Sequence, residues 1–508
     1  MTTKPRSIRR TKGTTRPAVL KPASPYVQRQ IPHYDMLDEE QLQALDSQVD
    51  WIIETIGFEF RDDPAALEIW RNAGVSVRDT RVIADAQHIR KLIQTTPSSF
   101  IQHARNAERS VQIGGNSQVF ATIFGAPFCR DLEGGRRYGT IADLERLVKI
   151  AHSLDGIHHT GLVITEPCDV PVSKRHLDML YLHMRYTDKP HLGAITNKER
   201  AIDSVNMARI VHGHENFENK CHIMGNVNTN SPLLIDKVVS EAVQVYCGAG
   251  QGIIVAPFIL TGAMGPVTTT ASIAQAIAEA MIVCAFSQLV RPGAPFVMGN
   301  FLSSMSLKSG APTFGMPEPV LSNYAIGQMA RRLGLPLRCG GSLTASKIED
   351  AQAAYESADS MHSTMLAGAN FVLHSAGWLE GGLCTGYEKL VMDADRLCAY
   401  CTLLKGLSFD ENALGRTAYN DVEPAGHFLG ASHTMKNYTT AFWESKLSDS
   451  ENVESWEERG SKDMRRRAFE RWNQLLQDYE APPIYADKDE ELKAFVAKRK
   501  SELPDAWY

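Results

Sequence analysis

Short apolar runs alternate with amphipathic stretches from about residue 140 onward. Seven apolar runs follow one another along the chain: 157–164, 191–195, 222–227, 253–257, 295–300, 335–339 and 370–374. Between them lie stretches of helical period at residues 173–186, 198–211, 234–247, 270–289, 319–333 and 348–367. A spacing of roughly 30 to 40 residues is typical of a strand followed by its crossover helix, and strands that are apolar throughout indicate a parallel sheet covered by helices. We therefore predict an α/β fold, and within it a (β/α)8 TIM barrel at residues 140–420.

A barrel of this kind needs an eighth strand. It would come from residues 119–125 or from the chain after Leu383. An open, doubly wound sheet is the alternative architecture. The sequence has no glycine-rich loop of the dinucleotide-binding type to support that alternative.

Both flanks of the repeat have a different pattern. Residues 35–139 are predicted to form an N-terminal flanking region, which opens with an amphipathic helix at 38–55. Residues 421–508 are strongly charged, and we expect a C-terminal helical extension that packs on the barrel. Its predicted docking residues are Trp456, Phe469 and Trp472.

The first 34 residues carry eight Lys or Arg residues and no acidic residue. They also lack the apolar run of a secretory signal. We predict a basic disordered tail at residues 1–34, with a basic binding arm as the alternative.

The composition is that of a globular protein with a sizeable core, since 43% of residues are hydrophobic and 22% are charged. A formal net charge of -6 gives no indication of a nucleic-acid partner. Nine cysteines at irregular spacing favour reduced thiols and a cytoplasmic location. The lone pair Cys398 and Cys401 has no second pair to complete a zinc site, so we expect no bound metal.

Residues 242–278 carry no formal charge, a length that would be sufficient to span a bilayer. Pro257, Gly262, Gly265 and Pro266 interrupt this segment. We expect a buried strand, a loop and a buried helix here, and no membrane span.

In a (β/α)8 barrel the chemistry lies at the carboxyl ends of the strands. Polar side chains follow several of the predicted strands, among them Asn228, Asn300 and His374. For each asparagine, an Asx turn explains its position as well as substrate contact does. For His374 the alternative is a structural histidine that bonds a backbone carbonyl.

Several long motifs follow one another in the second half of the chain. They are Thr261-Gly-Ala-Met-Gly-Pro-Val-Thr-Thr-Thr270, Gly315-Met-Pro-Glu318, Leu335-Pro-Leu-Arg-Cys-Gly-Gly341, Lys347-Ile-Glu-Asp350-Ala-Gln352 and Ala481-Pro-Pro-Ile-Tyr485. From about Asp35 to its end, the sequence resembles the corrinoid-dependent trimethylamine methyltransferase family. The founding members of that family place pyrrolysine a few residues before the Lys-x-x-Asp-x-Gln motif, and the corresponding position here is Leu343.

This departure from the family bears on the substrate, because the pyrrolysine is thought to bind and orient the methylamine. Members without it resemble the glycine betaine:corrinoid methyltransferases. The resemblance implies methyl transfer from a quaternary amine to Co(I) of a corrinoid, or cobalamin, cofactor. Since the corrinoid-binding motif Asp-x-His-x-x-Gly is missing from this chain, a separate corrinoid protein would carry that cofactor, and none would be tightly bound here. We also expect a homo-oligomer.

A quaternary ammonium leaves as a neutral tertiary amine when it loses a methyl group, so the reaction needs no general acid. The protein has to hold a cation, for which aromatic faces are suited. If the substrate carries a carboxylate, His374 or Arg338 would donate to it. The aromatic candidates, each with plain core packing as the alternative, are Phe124, Phe258, Phe301, Phe314 and Tyr355.

Two carboxylates complete the candidate set with Leu343. Glu279 lies in an otherwise charge-free helix and would either pair with an Arg or Lys for structural reasons or help to attract the cation. Glu318 would be catalytic or a helix-start residue.

Two other functions stay open at this point. Lys347 follows a predicted strand end, where Schiff-base aldolases place their lysine, although its neighbour Asp350 favours a salt bridge or a helix-start role. A betaine-binding protein without catalysis is the third hypothesis.

Overall fold

The alternation read from the sequence takes the form of strands and helices in the computed structural model, which describes residues 24–215 and 217–507. Residues up to 114 form β1 (Val27–Gln28), α1 (Glu39–Trp51), β2 (Phe58–Phe60), α2 (Pro64–Asn72), β3 (Ser76–Arg78), β4 (Arg81–Ile83), α3 (Ala86–Ile93), β5 (Ser99–Gln102) and β6 (Val111–Gly114).

The middle of the chain contains the strands and helices of the predicted repeat. Its strands are β7 (Ser117–Thr122), β8 (Phe128–Asp131), β9 (Gly135–Tyr138), β10 (Leu192–Gly193), β11 (Met224–Val227), β12 (Leu234–Ile235), β13 (Gly252–Val255), β14 (Phe258–Leu260), β15 (Phe296–Gly299), β16 (Phe301–Met305), β17 (Pro312–Thr313), β18 (Leu337–Gly340), β19 (Phe371–Ala376), β20 (Trp378–Leu379) and β21 (Cys384–Gly386). Its helices are α4 (Ile141–Ser153), α5 (Arg175–Tyr186), α6 (Lys198–His212), α7 (Lys237–Gly248), α8 (Thr269–Val290), α9 (Pro317–Leu333), α10 (Ala351–Ala367) and α11 (Tyr387–Leu404). The C-terminal helices are α12 (Glu411–Leu414), α13 (Arg416–Asn420), α14 (Ser432–Asn437), α15 (Val453–Glu458), α16 (Met464–Gln477) and α17 (Ala486–Glu502).

The main sheet contains seven parallel strands in the order β7, β19, β18, β15, β13, β11 and β10. Short strand β1 adds antiparallel to the start of β7. The predicted α/β class is confirmed, and the strand predicted at 119–125 or after Leu383 is β7.

Residues 158–161 lie between the two outer parallel strands of this sheet. On one side, His158 N–H donates to the carbonyl of Phe120 in β7 at 2.9 Å. On the other side, the carbonyl of Gly161 accepts from Leu192 N–H in β10, also at 2.9 Å. The main sheet therefore has to curl, because β7 and β10 share this hydrogen-bonded neighbour.

Helix α8 is largely apolar, and all of its residues from Ser272 to Gln288 are buried. The flanking helices α1, α2 and α3 pack over its outer surface. The rings of Phe60 and Trp70 lie 5.4 and 5.9 Å from that of Phe286 in α8. Among the described residues this is the one helix long and apolar enough to cross a membrane, and 89% of its most apolar window is buried inside the protein.

The C-terminal helices pack on the outside of the α/β region, α16 against α4 and α11, and α17 against α5 and α6. Trp472 Nε1 donates to Glu388 Oε1 at 2.9 Å, and Phe469 packs edge-on to Trp472 at 5.2 Å. Trp456 bonds instead to the carbonyl of Lys462 within its own segment.

Two predicted boundaries differ from the structure. Residues 1–34 were expected to form a disordered tail, but residues 24–34 are ordered: β1 pairs with β7, and buried Arg29 donates to the carbonyl of Met365 at 3.3 Å. Residues 1–23 lie outside the described part of the chain. Strand β7 begins the main sheet within the predicted flanking region 35–139, because it pairs with β19 rather than with the N-terminal strands.

All nine cysteines have free thiols. Burial raises the pKa of Cys398 to about 11 and that of Cys401 to about 12, so both are poor thiolates at neutral pH.

Candidate active site

A cavity of about 300 Å³ opens at the carboxyl ends of the main-sheet strands. Its lining residues are Phe124, Ile195, Asn226, Val227, Asn228, Asn230, Asp236, Val238, Val239, Phe301, Arg338, His374 and Trp378. Phe124 follows β7, Phe301 follows β15 and His374 lies in β19. This is the end of a parallel α/β sheet at which ligands bind.

Three rings form one wall of this cavity. The ring of His374 lies 5.4 Å from that of Phe301 and 4.5 Å from that of Trp378. Trp378 Nε1 donates to the carbonyl of Thr344 at 3.0 Å, which holds the indole in place. The wall thus presents fixed aromatic faces.

Two further aromatic residues pack against the rings of this wall. Phe258 packs against Phe301 at 5.1 Å, and Phe314 packs edge-on to Trp378 at 5.5 Å. Phe258 and Phe314 do not line the cavity themselves. Phe124, in contrast, lines it directly.

Arg338 brings a positive charge to the cavity from β18. It is buried, and one guanidinium nitrogen donates to the carbonyl of Asn300 at 3.0 Å. Its Nε has no hydrogen-bond partner, and no carboxylate among the described residues forms an ion pair with it. The guanidinium carbon lies 4.9 Å from the centre of the Phe301 ring. Burial lowers the pKa of Arg338 to about 10, so the side chain is still charged at neutral pH.

His374 adopts an unusual backbone conformation for a residue in a strand. Its φ is 61°, and the register between β19 and β7 shifts between Val372 and Ala376. Positive φ in a non-glycine residue is costly and concentrates at functional sites. This bulge turns the imidazole toward the cavity.

The protonation state of His374 follows from its contacts. Burial and then the charge of Arg338 place its pKa well below the ordinary value, so the ring is neutral. Its Nδ1 accepts from the backbone N–H of Phe124 at 3.2 Å. The ring proton is therefore on Nε2, which is a hydrogen-bond donor at the cavity.

Asn226 in β11 and two asparagines in the loop that follows this strand also line the cavity. Asn226 is buried, and its Oδ1 has no hydrogen-bond partner among the described residues. Asn228 and Asn230 line the cavity as exposed residues.

Comparison with known proteins decides the family. Residues 4–504 match the family model described as trimethylamine methyltransferase (MTTB). This chain belongs to that family. It is 36% identical over 474 residues to a glycine betaine methyltransferase of Desulfitobacterium hafniense strain Y51, with 93% of this chain and 98% of that protein covered.

Two other relatives are named trimethylamine methyltransferases. One, from Desulfitobacterium hafniense strain DSM 10664 / DCB-2, is 26% identical over 473 residues, which are 91% of this chain and 94% of that protein. The other, from Methanosarcina mazei, is 26% identical over 450 residues, which are 86% of this chain and 89% of that protein. The solved monomethylamine methyltransferase of Methanosarcina barkeri covers 89% of this chain and 96% of its own at a TM-score of 0.46 and 9% identity, a likeness too low to inform on the site. The predicted family and enzyme class, methyltransferase, are confirmed.

Glu279 of this methyltransferase lies behind the cavity rather than in its lining. Its carboxylate accepts from Thr229 Oγ1, Ser231 Oγ (2.6 Å), Leu233 N–H (2.9 Å) and Gln275 Nε2 (2.9 Å). No Arg or Lys among the described residues pairs with it, contrary to the structural alternative considered for it. Glu279 positions the loop that carries Asn228 and Asn230, and its catalytic role stays a prediction.

Four other candidates lie outside the cavity lining. Leu343 is buried against Gly340, and Glu318 accepts from Ser304 Oγ at 3.2 Å in the first turn of α9. Tyr355 is 72% exposed on α10, at a different cavity. Substrate contact by these side chains stays a prediction, and this cavity gives it no support.

Asn300 is the fourth of these candidates, and its amide is already used within the fold. Asn300 Nδ2 donates to Ser322 Oγ at 3.1 Å and to Asn323 Oδ1 at 2.8 Å. Its Oδ1 accepts from Leu302 N–H at 3.0 Å. Asn300 acts on the cavity through its backbone carbonyl, which holds Arg338.

Sequence reasoning missed Trp378. The signal was present, because a tryptophan follows Gly377 immediately after the strand that contains His374. Nothing in the sequence, however, indicated that β19 bulges at His374 and brings the two rings to 4.5 Å.

Neither a metal centre nor a Schiff-base site is formed by the described residues. No group of three or more His, Cys, Asp or Glu side chains is arranged to hold a metal ion in this part of the chain. Lys347 is exposed and donates to the carbonyl of Ala345 at 2.9 Å, outside the cavity. A Schiff-base lysine is activated by desolvation, which Lys347 lacks.

Proposed function

We propose that this methyltransferase moves a methyl group from a carboxylated quaternary amine, such as glycine betaine, to Co(I) of a corrinoid carried by a separate protein. One observation supports this most strongly: fixed aromatic faces and a buried guanidinium without a carboxylate partner line the same cavity. The relative named glycine betaine methyltransferase is also more similar in sequence, at 36%, than the two trimethylamine relatives at 26%.

The aromatic wall suits the cationic end of such a substrate. Cation–π attraction contributes about 0.5–2 kcal/mol per ring, with the larger values where water is excluded. Phe301, Trp378 and Phe124 all line the cavity. A trimethylammonium group has no N–H to donate, so faces rather than acceptors are what it needs.

Arg338 and His374 suit the carboxylate end. The guanidinium of Arg338 is positively charged, and its Nε–H has no hydrogen-bond partner among the described residues. Neutral His374 can donate a hydrogen bond from Nε2–H. A charge-assisted hydrogen bond of this kind is about twice as strong as a neutral one. Bound carboxylate would also neutralise the repulsion between the Arg338 charge and the cationic end of the ligand.

The reaction balances without a proton. The N–CH₃ bond breaks and its electron pair stays on nitrogen, so a neutral dimethylamino product leaves. The electron pair that forms the new bond to the methyl carbon comes from Co(I) of the acceptor substrate. The residues of this chain have to orient the N–CH₃ bond toward the opening and exclude water. A general acid is not required.

We further infer that the curled main sheet is a closed (β/α)8 barrel. Its eight strands are the seven parallel strands of the main sheet together with residues 158–161, which lie between β7 and β10. The hydrogen bonds from His158 N–H to the carbonyl of Phe120 and from Leu192 N–H to the carbonyl of Gly161 support closure. A closed barrel leaves the cavity one opening, at the carboxyl ends of its strands, and the corrinoid would approach there. The domain limits 140–420 and 421–508, a cytoplasmic location and a homo-oligomeric state belong to the same proposal.

The test uses purified protein, Co(I) cobalamin and a set of amines, with the cobalamin absorption spectrum as the readout. Glycine betaine and choline are the matched pair, because both carry a trimethylammonium group and choline has a hydroxymethyl group in place of the carboxylate. We expect methylated cobalamin to form with glycine betaine, or with proline betaine or carnitine, and much more slowly with choline. Equal rates with choline and glycine betaine would show that the protein does not recognise the carboxylate. Binding of betaine without turnover would favour a binding protein instead.

A further inference from the structure

Residues 407–443, here called the arm, expose large apolar side chains to an unusual degree. Ten such residues lie in this segment, each at least 38% exposed: Leu407, Phe409, Leu414, Tyr419, Phe428, Leu429, Met435, Tyr438, Phe442 and Trp443. The arm is a small fraction of the chain, so this concentration is not the scattered exposure that every protein has.

The arm is nevertheless a folded unit. Asn412 Nδ2 donates to Asn437 Oδ1 at 2.9 Å, His433 Nε2 bonds the carbonyl of Asn412 at 2.7 Å, and Ser432 N–H donates to Asp421 Oδ2 at 2.9 Å. These hydrogen bonds join distant parts of the arm to one another, and its large apolar side chains remain exposed.

Both ends of the arm are fixed at the amino ends of the main-sheet strands. At its start, the carbonyl of Leu404 accepts from Gln30 N–H at 2.8 Å, next to the first residues of β7. At its end, Lys446 N–H donates to Asp395 Oδ1 at 2.9 Å, and Lys446 Nζ pairs with Asp155 after α4. The arm thus lies at the end of the sheet opposite the cavity.

We propose that the arm is a dimer interface and that a second copy of this chain covers it, arm against arm. A fully buried aromatic side chain contributes about 150–250 Å², so ten partly exposed large residues offer on the order of 1,000 Å². A typical monomer leaves a largest apolar patch of about 300–600 Å² exposed, and a standard interface needs about 800 Å² from each partner. The arm offers the area that a stable dimer requires.

Position and charge argue for a second copy over other occupants. A corrinoid protein seated on the arm would be at the wrong end of the sheet to reach the cavity. The arm carries four acidic residues (Asp410, Glu411, Asp421, Glu423) against Arg416 and Lys436, so an anionic lipid surface would repel it. A sparsely charged apolar patch can pair with itself across a two-fold axis. Such a dimer leaves both cavities open at its outer ends.

The test is the solution mass of the full-length protein by sedimentation or light scattering over about 0.1–100 µM. We expect twice the chain mass of 56.2 kDa for the wild type. In the double variant Phe409→Asp and Phe442→Asp, two buried unpaired charges would weaken dimerisation at least about 100-fold, and the mass would fall to that of one chain. The matched control is Tyr485→Asp, since Tyr485 is 82% exposed but lies outside the arm, and it should stay dimeric.

If the double variant does not fold, hydrogen exchange on the wild type tests the dimer proposal instead. Amides of residues 407–443 should exchange more slowly at high protein concentration than at low concentration, and those of α17 should not change. A wild type with the mass of one chain up to 100 µM would overturn the proposal. An unchanged dimer in the folded double variant, or binding of the wild type to anionic vesicles through the arm, would do so as well. None of these outcomes depends on which amine is the substrate.

Discussion

Two buried cations stand at opposite ends of the main sheet, and their surroundings differ. Lys189 precedes β10 at the amino end, where its Nζ donates to the carbonyls of Ala151 (2.9 Å) and Leu154 (2.8 Å) at the end of α4. Arg338, at the cavity, donates to one carbonyl, and its Nε has no hydrogen-bond partner within the described part of the chain. Both carbonyl contacts of Lys189 lie within the fold, whereas under the proposed function part of the Arg338 guanidinium would bind the substrate carboxylate.

The same pair explains why the cavity contains arginine. Burial lowers the pKa of Lys189 to about 7 and that of Arg338 to about 10. A lysine buried to this extent loses much of its charge at neutral pH, while arginine keeps it. Arg338 thus brings a charge that persists at neutral pH to the cavity that Asn226 also lines, and the buried Oδ1 of Asn226 has no hydrogen-bond partner among the described residues.

Removing the charge at the cavity should have the largest effect. In Arg338→Met the side chain keeps most of its volume but cannot pair with a carboxylate. We expect kcat/KM for glycine betaine to fall about 30- to 1,000-fold, equivalent to about 2–4 kcal/mol. The rate with choline should change less than about threefold, since choline has no carboxylate. An equal loss with both amines would assign Arg338 a structural role.

Arg338→Lys sharpens the comparison through pH. A lysine there should have its pKa lowered by burial as Lys189 has, and only its protonated form would bind the carboxylate. Its kcat/KM for glycine betaine should therefore decline as pH rises from 6.5 to 8.5. Deprotonation of Arg338 should not lower kcat/KM of the wild type over this range, because the pKa of Arg338 is about 10. Parallel pH profiles for the two proteins would contradict this account.

The next largest effect concerns the amino end of the sheet. Burial lowers the pKa of His191 to about 4, so the unfolded state binds a proton there that the folded state does not between about pH 4 and 6.5. This contribution to stability is complete above pH 6.5 and is lost as pH falls through that window. His191→Asn keeps a donor for the carbonyl of Leu192 and should reduce the slope of unfolding free energy against pH by about 1.4 kcal/mol per unit. Urea unfolding at pH 5, 5.5 and 6 measures the slope, and an unchanged slope would show that His191 titrates alike in both states.

Much of the fold followed from the sequence because it depends on local periodicity. The seven apolar runs correspond to six strands and to residues 158–161, and the charge-free segment contains buried helix α8. His374 and Arg338 were found because they lie at predicted strand ends. Periodicity gives the position of a side chain along a strand, which was enough to name both residues, but it did not predict the bulge in β19 at His374.

The remaining features depend on contacts between distant segments. From the sequence, Asn300 was as good a candidate as His374. In the structure its side-chain amide donates a hydrogen bond to Asn323, 23 residues away. For Glu279 an Arg or Lys partner was one of two alternatives, but the loop at 229–233 supplies hydroxyl and N–H donors instead. No local pattern indicates that residues 24–34 would dock on β7, since β1 is two residues long.

The aromatic wall should contribute less than the charge. Trp378→Leu removes one face, and we expect kcat/KM to fall about 2- to 30-fold, equivalent to about 0.5–2 kcal/mol. The loss should be similar for glycine betaine and choline, because both carry the same trimethylammonium group. Trp378→Phe keeps a face and should recover most of the activity. A loss confined to glycine betaine would place Trp378 at the carboxylate end instead.

Lys347 should show the smallest effect, and its variant completes the comparison of buried with exposed cations. Its exposed amine donates to the carbonyl of Ala345, and it shares no cavity with Arg338. A lysine that forms a Schiff base is desolvated so that its amine is neutral at working pH, whereas the side chain of Lys347 is exposed to solvent. We expect Lys347→Ala to keep kcat/KM within about twofold, and borohydride treatment of the wild type with carbonyl compounds to leave its mass unchanged. A tenfold loss of kcat/KM, or lasting modification of Lys347, would show that an exposed cation at this end of the sheet acts on the substrate. The burial of Arg338 would then be a weaker argument for its role.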